Sequence, residues 1–168
     1  MSSNRHRKSI RLKTWDYSQN GLYFITICTK NREHLFGEII DETMLLSDMG
    51  LLAQKYWYEI PKHFDFVFLD SFVVMPNHIH GVIEIRREKA VKKFENQPKG
   101  TVSSIIGSYK SIVTKKCRLI DASFGWQSRF HDHIIRNDKS LEKIRAYVIA
   151  NPKNWKDDML YRKISEIP

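Results

Sequence analysis

Two strand-length runs rich in aromatic and β-branched residues, Phe66–Met75 (FVFLDSFVVM) and His78–Ile85 (HIHGVIEI), are separated only by Pro76-Asn77. That dipeptide is a turn signal, and so short a connection pairs the runs as an antiparallel hairpin. Side chains alternate along a strand, so His78 and His80 share one face of the second run while Ile79, Ile83 and Ile85 share the other. Two imidazoles thus converge on one site, and neutral imidazole nitrogens held by a rigid strand are good metal ligands. The same short pattern also fits two half-exposed histidines on a sheet, and spacing alone leaves both readings open.

The rest of the chain builds around this hairpin. Leu22–Thr29 (LYFITICT) reads as a strand after the turn signal Gln19-Asn20-Gly21, and Phe36–Leu46 as a short hairpin turning at Asp41-Glu42. Ser47 suits a helix N-cap, and Leu51, Leu52, Lys55, Tyr56 and Glu59 recur at helical spacing until Pro61 stops the helix. Thr101–Arg118 places Val102, Ile105, Ile106, Tyr109 and Val113 on one helical face. Phe130–Ile135 follows as a strand, and Asp138–Ala150 as a helix closed by Pro152. The order β, α, β, β, α, β with an added helix predicts an α+β ferredoxin-like sandwich with an antiparallel sheet. We expect one domain over residues 1–168, with a basic N-terminal arm over about residues 1–20 and a short C-terminal tail. Arg87–Gly100 is the best loop candidate.

Charge narrows the partner. The net charge is +9 and the pI about 9.6, and the excess lies in two segments. Residues 1–13 carry five basic residues and no acid, and 86–118 carry ten against Glu88 and Glu95. Such clustering favours a polyanion. No apolar run approaches the roughly 18 residues of a membrane span, and the polar start lacks a signal-peptide core, so a soluble cytoplasmic protein is expected. Cys28 and Cys117 lack CxxC spacing and read as packing residues.

Beyond the histidine pair, Tyr147 and Asn151 lie four residues apart, so a phenol and an amide share one helical face and could complete the site. Alternatively, Tyr147 covers core and Asn151 merely ends the helix before Pro152. His131-Asp132-His133 competes with His78 and His80, either as a second metal pair, as part of a four-histidine site, or, the reading we favour, as groups that face the substrate or support the metal ligands from behind. For nucleic acid, Arg5, Arg7, Lys8 and Arg11 form a basic arm, Lys110, Lys115, Lys116 and Arg118 a basic helical segment, and Arg129 lies beside the HDH strand. Trp15, Tyr17 and Trp126 are candidate stacking groups, although aromatics near strand starts more often fill core.

Taken in order and spacing, RHRKSIRLKTWDYSQNGLYFITICTKNREHLFGEI, VVMPNHIHGVIEI, WQSRFHDHIIRN and IRAYVIANPKNW resemble the single-tyrosine HUH transposases, closest to the REP-associated tyrosine transposase branch, over roughly residues 5–160. The resemblance implies an enzyme that cleaves and rejoins single-stranded, hairpin-associated DNA through a 5′-phosphotyrosine. It maps the metal-binding histidine pair onto His78 and His80, the nucleophile onto Tyr147, and the polar residue one turn later onto Asn151, with Mg²⁺ or Mn²⁺ as cofactor. It also implies a nucleoid-associated protein acting as a monomer or homodimer. The rivals are a non-cleaving module that binds hairpin DNA or RNA, and a metal-dependent hydrolase that uses water.

Overall fold

A computed structural model describes residues 19–88 and 100–161. The chain runs β1 (Gly21–Cys28), β2 (Gly37–Ile40), β3 (Thr43–Leu46), α1 (Asp48–Tyr58), α2 (Ile60–His63), β4 (Val67–Met75), β5 (His78–Ile85), α3 (Val102–Cys117), β6 (His131–Ile135) and α4 (Asp138–Ala150). Four strands form one sheet in the order β4-β5-β1-β6, with antiparallel neighbours throughout, and β2 and β3 form a separate two-stranded sheet. Two βαβ units are interleaved so that each inserts a strand between the other's pair, the ferredoxin-like arrangement the element order predicts.

The pleat separates two unequal faces. Tyr23, Ile25 and Ile27 of β1 and Ile79, Ile83 and Ile85 of β5 are fully buried in the main core, which also takes Ala53 and Trp57 of α1 and Ile105, Ile106, Tyr109 and Val113 of α3. A smaller cluster of Val82, Ile135 and Leu141, with Leu22, Phe24 and Ile144 against it, lies on the other side beneath α4. Gly81 belongs to the first face. A Cβ there would collide with the Trp57 indole, which stacks on Phe72 at 4.7 Å and meets Tyr109 edge-on at 5.4 Å.

Local chemistry sets the boundaries. The Gly50 N–H donates to the Ser47 hydroxyl at 3.1 Å and the Ser140 N–H to Asn137 Oδ1 at 2.8 Å, capping α1 and α4. The β2–β3 turn holds Asp41 and Glu42 at φ 48° and 62°, the left-handed pair that matches hairpin twist. Pro61 departs from expectation. Helix α1 ends at Tyr58, and the proline sits in the first turn of the one-turn helix α2, where its missing N–H leaves no bond unmade. Cys117 is buried and Cys28 half-buried, and both are free thiols. No helix among the described residues is long and apolar enough to cross a membrane.

Candidate active site

His78 and His80 are not the half-exposed pair that the bland reading of HxH allows. Their relative exposures are 0% and 3%, and their Nε2 atoms face each other at 3.0 Å. The Pro76-Asn77 turn is staked into the protein. The backbone N–H of Thr29 donates to the Asn77 carbonyl at 2.9 Å and that of Phe36 to the Pro76 carbonyl at 3.0 Å. The Asn77 side chain donates through Nδ2 to the carbonyls of Arg32 (3.3 Å) and Leu160 (2.9 Å), which orients its amide. Its Oδ1 therefore accepts from His78 Nδ1–H at 2.7 Å, and the lone pair of His78 is left on Nε2. His80 is steadied by Thr26, whose hydroxyl lies 2.8 Å from Nδ1, and by Phe24, stacked at 5.2 Å. Burial pushes the His78 imidazole well below its ordinary pKa, with His80 adding to the shift, and burial brings His80 down to about 4. Both rings are neutral at physiological pH, as ligands must be.

Helix α4 brings Tyr147 and Asn151 to this pair. The Tyr147 hydroxyl lies 3.2 Å from His80 Nε2 and donates to Asp158 Oδ2 at 3.2 Å. Burial, with the Asp158 charge next, raises its pKa to about 12. Asn151, at 2% exposure, donates through Nδ2 to Asp158 Oδ2 at 3.0 Å. Its buried Oδ1 has no hydrogen-bond partner. Unsatisfied buried oxygens are costly, and one beside two imidazole nitrogens and a carboxylate suits a cation's donor set. His78, His80 and Asp158 each offer one ligand atom within 4.8 Å of the others. The residues present thus fit a divalent metal ion.

Sequence reasoning missed Asp158, Asn77 and Thr26. Asn77 was legible only as half of a turn dipeptide, and nothing in spacing marks Asp158. It arrives because the chain folds back after α4 through the turn Trp155–Asp157, anchored by Trp155, which is 6% exposed and packs 5.8 Å from the His78 ring.

A cavity of about 910 Å³ opens onto His80, Tyr147 and Asp158, and Arg32, Arg129 and His131 also line it. The four-histidine site is not formed. Strand β1 runs between β5 and β6, so His131 stands opposite Thr26 and His133 opposite Phe24, two strand spacings (about 10 Å) from the β5 histidines. Neither joins the cluster of His78, His80 and Asp158 among the described residues, and His131 lines the cavity. A second, open cavity of about 570 Å³ lies between α3 and residues 125–128, lined by Lys30, Lys110, Lys115 and Arg118. Gln127 and Ser128 line both cavities. Lys116 does not line the second. Lys110 is no free surface charge, since its ammonium donates to the Gln127 carbonyl at 2.7 Å. Trp126 packs on Phe36 (5.3 Å) and Phe124 (5.4 Å) and donates to the Lys110 carbonyl; it is half-buried at the edge of the core and also lines this second cavity. Arg5, Arg7, Lys8, Arg11, Trp15 and Tyr17 lie outside the described residues.

Comparison with known proteins gives this site a lineage. The family described as "Transposase IS200 like" matches residues 17–151, from before β1 through Asn151. An uncharacterised protein of Haemophilus influenzae is 41% identical over 168 residues, covering 93% of each chain. A second protein of that organism, provisionally named a REP-associated tyrosine transposase, is 22% identical over 165 residues, covering 89% of this chain and 85% of its own. Among solved structures, a REP-associated tyrosine transposase bound to a REP hairpin superposes with a TM-score of 0.59 at 20% identity, over 80% of this chain and 68% of that one. A match that takes in both histidines, the tyrosine and the asparagine, on a fold shared with that transposase, means that this chain belongs to the IS200-like transposase family.

Proposed function

We propose that this protein is a metal-dependent nuclease and strand transferase that cleaves single-stranded, hairpin-associated DNA and rejoins it through a 5′-phosphotyrosine on Tyr147. The observation that carries the reading is the Tyr147 hydroxyl set 3.2 Å from a buried histidine pair, at the wall of a cavity that Arg32 and Arg129 also line. The fold-related transposase bound to a REP hairpin supports a hairpin substrate.

His78, His80 and the orphaned Asn151 oxygen would hold Mg²⁺ or Mn²⁺, which when bound supplies polarisation of a non-bridging phosphate oxygen and stabilises charge in the transition state. Tyr147 is exposed enough, at 45%, to meet a phosphate entering the cavity that it lines. Attack forms the Tyr147 O–P bond and breaks the P–O3′ bond; the phenolic proton departs along its hydrogen bond to Asp158 Oδ2, and the leaving 3′-oxygen takes a proton from solvent to become a 3′-hydroxyl. The linkage conserves the phosphodiester's energy, so a second 3′-hydroxyl can reverse the step and join strands. Arg129 reaches toward the scissile phosphate, and the groove holding Lys30, Lys110, Lys115 and Arg118 carries the backbone away from it, with Lys116 and the arm bearing Arg5, Arg7, Lys8 and Arg11 adding long-range attraction. Such an activity belongs at the nucleoid.

The test is incubation with labelled single-stranded hairpins from the gene's flanks and Mn²⁺ or Mg²⁺, followed by denaturing electrophoresis. Wild type should give a covalent protein–DNA band, and Tyr147→Phe should bind DNA but give none. Cleavage without an adduct would mean that water is the nucleophile. Tight binding of an authentic flank without cleavage would mean a hairpin-binding module.

A further inference from the structure

The geometry points to Asp158 as an anionic ligand of the metal ion, held in readiness by the same asparagine that orients a histidine ligand. This rests on the metal-dependent reading above and adds to it a residue outside the histidine pair and the α4 motif.

Two neutral imidazoles and one amide oxygen bring no charge to a divalent cation. Hard cations such as Mg²⁺ and Mn²⁺ favour oxygen donors, carboxylates foremost. Asp158 offers its carboxylate within 4.8 Å of both histidine ligand atoms. Among the described residues, no other group of three histidines, cysteines or acids makes such a cluster.

The carboxylate is positioned, not incidental. The Leu160 N–H donates to Oδ1 at 2.6 Å, and Asn151 Nδ2 and the Tyr147 hydroxyl donate to Oδ2 at 3.0 and 3.2 Å. The Leu160 carbonyl in turn accepts from Asn77 Nδ2 at 2.9 Å, while Asn77 Oδ1 accepts from His78 Nδ1–H at 2.7 Å. One asparagine side chain thus fixes both a ring on β5 and the segment that carries the carboxylate. The Asn151 amide that donates to Asp158 leaves its own oxygen unpartnered, on a side chain 2% exposed, and that oxygen lacks a partner that a cation would supply.

The readout is Mn²⁺ binding to the DNA-free protein, by isothermal titration and by the Mn²⁺-induced rise in melting temperature, for wild type, Asp158→Asn, His78→Ala and Tyr147→Phe. Asp158→Asn is nearly isosteric and keeps one oxygen for the Leu160 N–H, so its fold should persist, as circular dichroism would verify. The expected result is a loss of Mn²⁺ affinity of at least about tenfold in Asp158→Asn, a comparable or larger loss in His78→Ala, and little change in Tyr147→Phe. Wild-type affinity in Asp158→Asn with loss in His78→Ala overturns the role of Asp158 and leaves the histidine site standing. Unchanged binding in His78→Ala, or no binding by wild type, overturns both. Equal loss in Tyr147→Phe and Asp158→Asn would mean that the tyrosine–aspartate contact, not ligation, sets affinity, and would also overturn the assignment.

Discussion

At the scale of single residues, the two histidines illustrate what burial does to a titrating group. Each stands neutral because the pocket disfavours its charged form, while the unfolded chain restores the ordinary value near 6.5. Between about pH 6.5 and His80's folded value of about 4, the unfolded state therefore binds more protons than the native state, and stability rises with pH across that window. The melting temperature of the metal-free protein should fall as pH drops from 6.5 toward 4, and His80→Gln should flatten part of that slope. An identical slope in the variant would mean that other groups carry the acid sensitivity. The pairing of His78 with His80 on one strand face was legible from alternation alone. The tautomer that leaves the lone pair on His78 Nε2 was not, because it depends on Asn77, whose amide is oriented by carbonyls 45 and 83 residues away in sequence.

At the scale of elements, the question is what holds α4 so that Tyr147 meets His80. The apolar cluster beneath this helix is small, and a charged contact supplements it. Arg145, two residues before Tyr147, donates to both carboxylate oxygens of Asp70, at 2.9 and 2.5 Å, a bidentate pair. Asp70 lies where the β4–β5 register shifts between Leu69 and Phe72, an irregularity that no sequence period announces. Hydrogen bonds from Arg145 chiefly hold the Asp70 carboxyl below its ordinary value, so the contact is fully present above about pH 4 and is lost as pH falls through that lowered value. We expect Asp70→Asn to speed amide exchange across α4 at neutral pH without changing α3, and to slow adduct formation several-fold. The charge-reversed pair Asp70→Arg with Arg145→Asp should recover part of both. Unaltered α4 exchange in Asp70→Asn would show that apolar contacts alone seat the helix.

At the scale of the whole molecule, the sheet divides stability and function between its faces. Ile105 is fully buried in the main core between sheet and helices, whereas Leu141 belongs to the thin cluster under α4. Ile105→Ala should cost about 2–5 kcal/mol in global denaturation, while Leu141→Ala should cost about half of that or less and act mainly by opening α4 locally, which hydrogen exchange would report. Equal global losses would mean that the two faces unfold as one unit. Sequence alone determined the element order, the side of β5 on which the histidines lie, and the common face of Tyr147 and Asn151, because those features follow from periods of two and 3.6 residues that are local to one strand or one helix. Tertiary structure decided the rest. Whether four histidines could meet was settled by β1 lying between β5 and β6, and Asp158 joined the site only because the chain after α4 doubles back and is tied to Asn77. No local period relates a strand residue to a loop residue some 80 positions on, so such a contact exists only once the packed core has fixed where each segment lies.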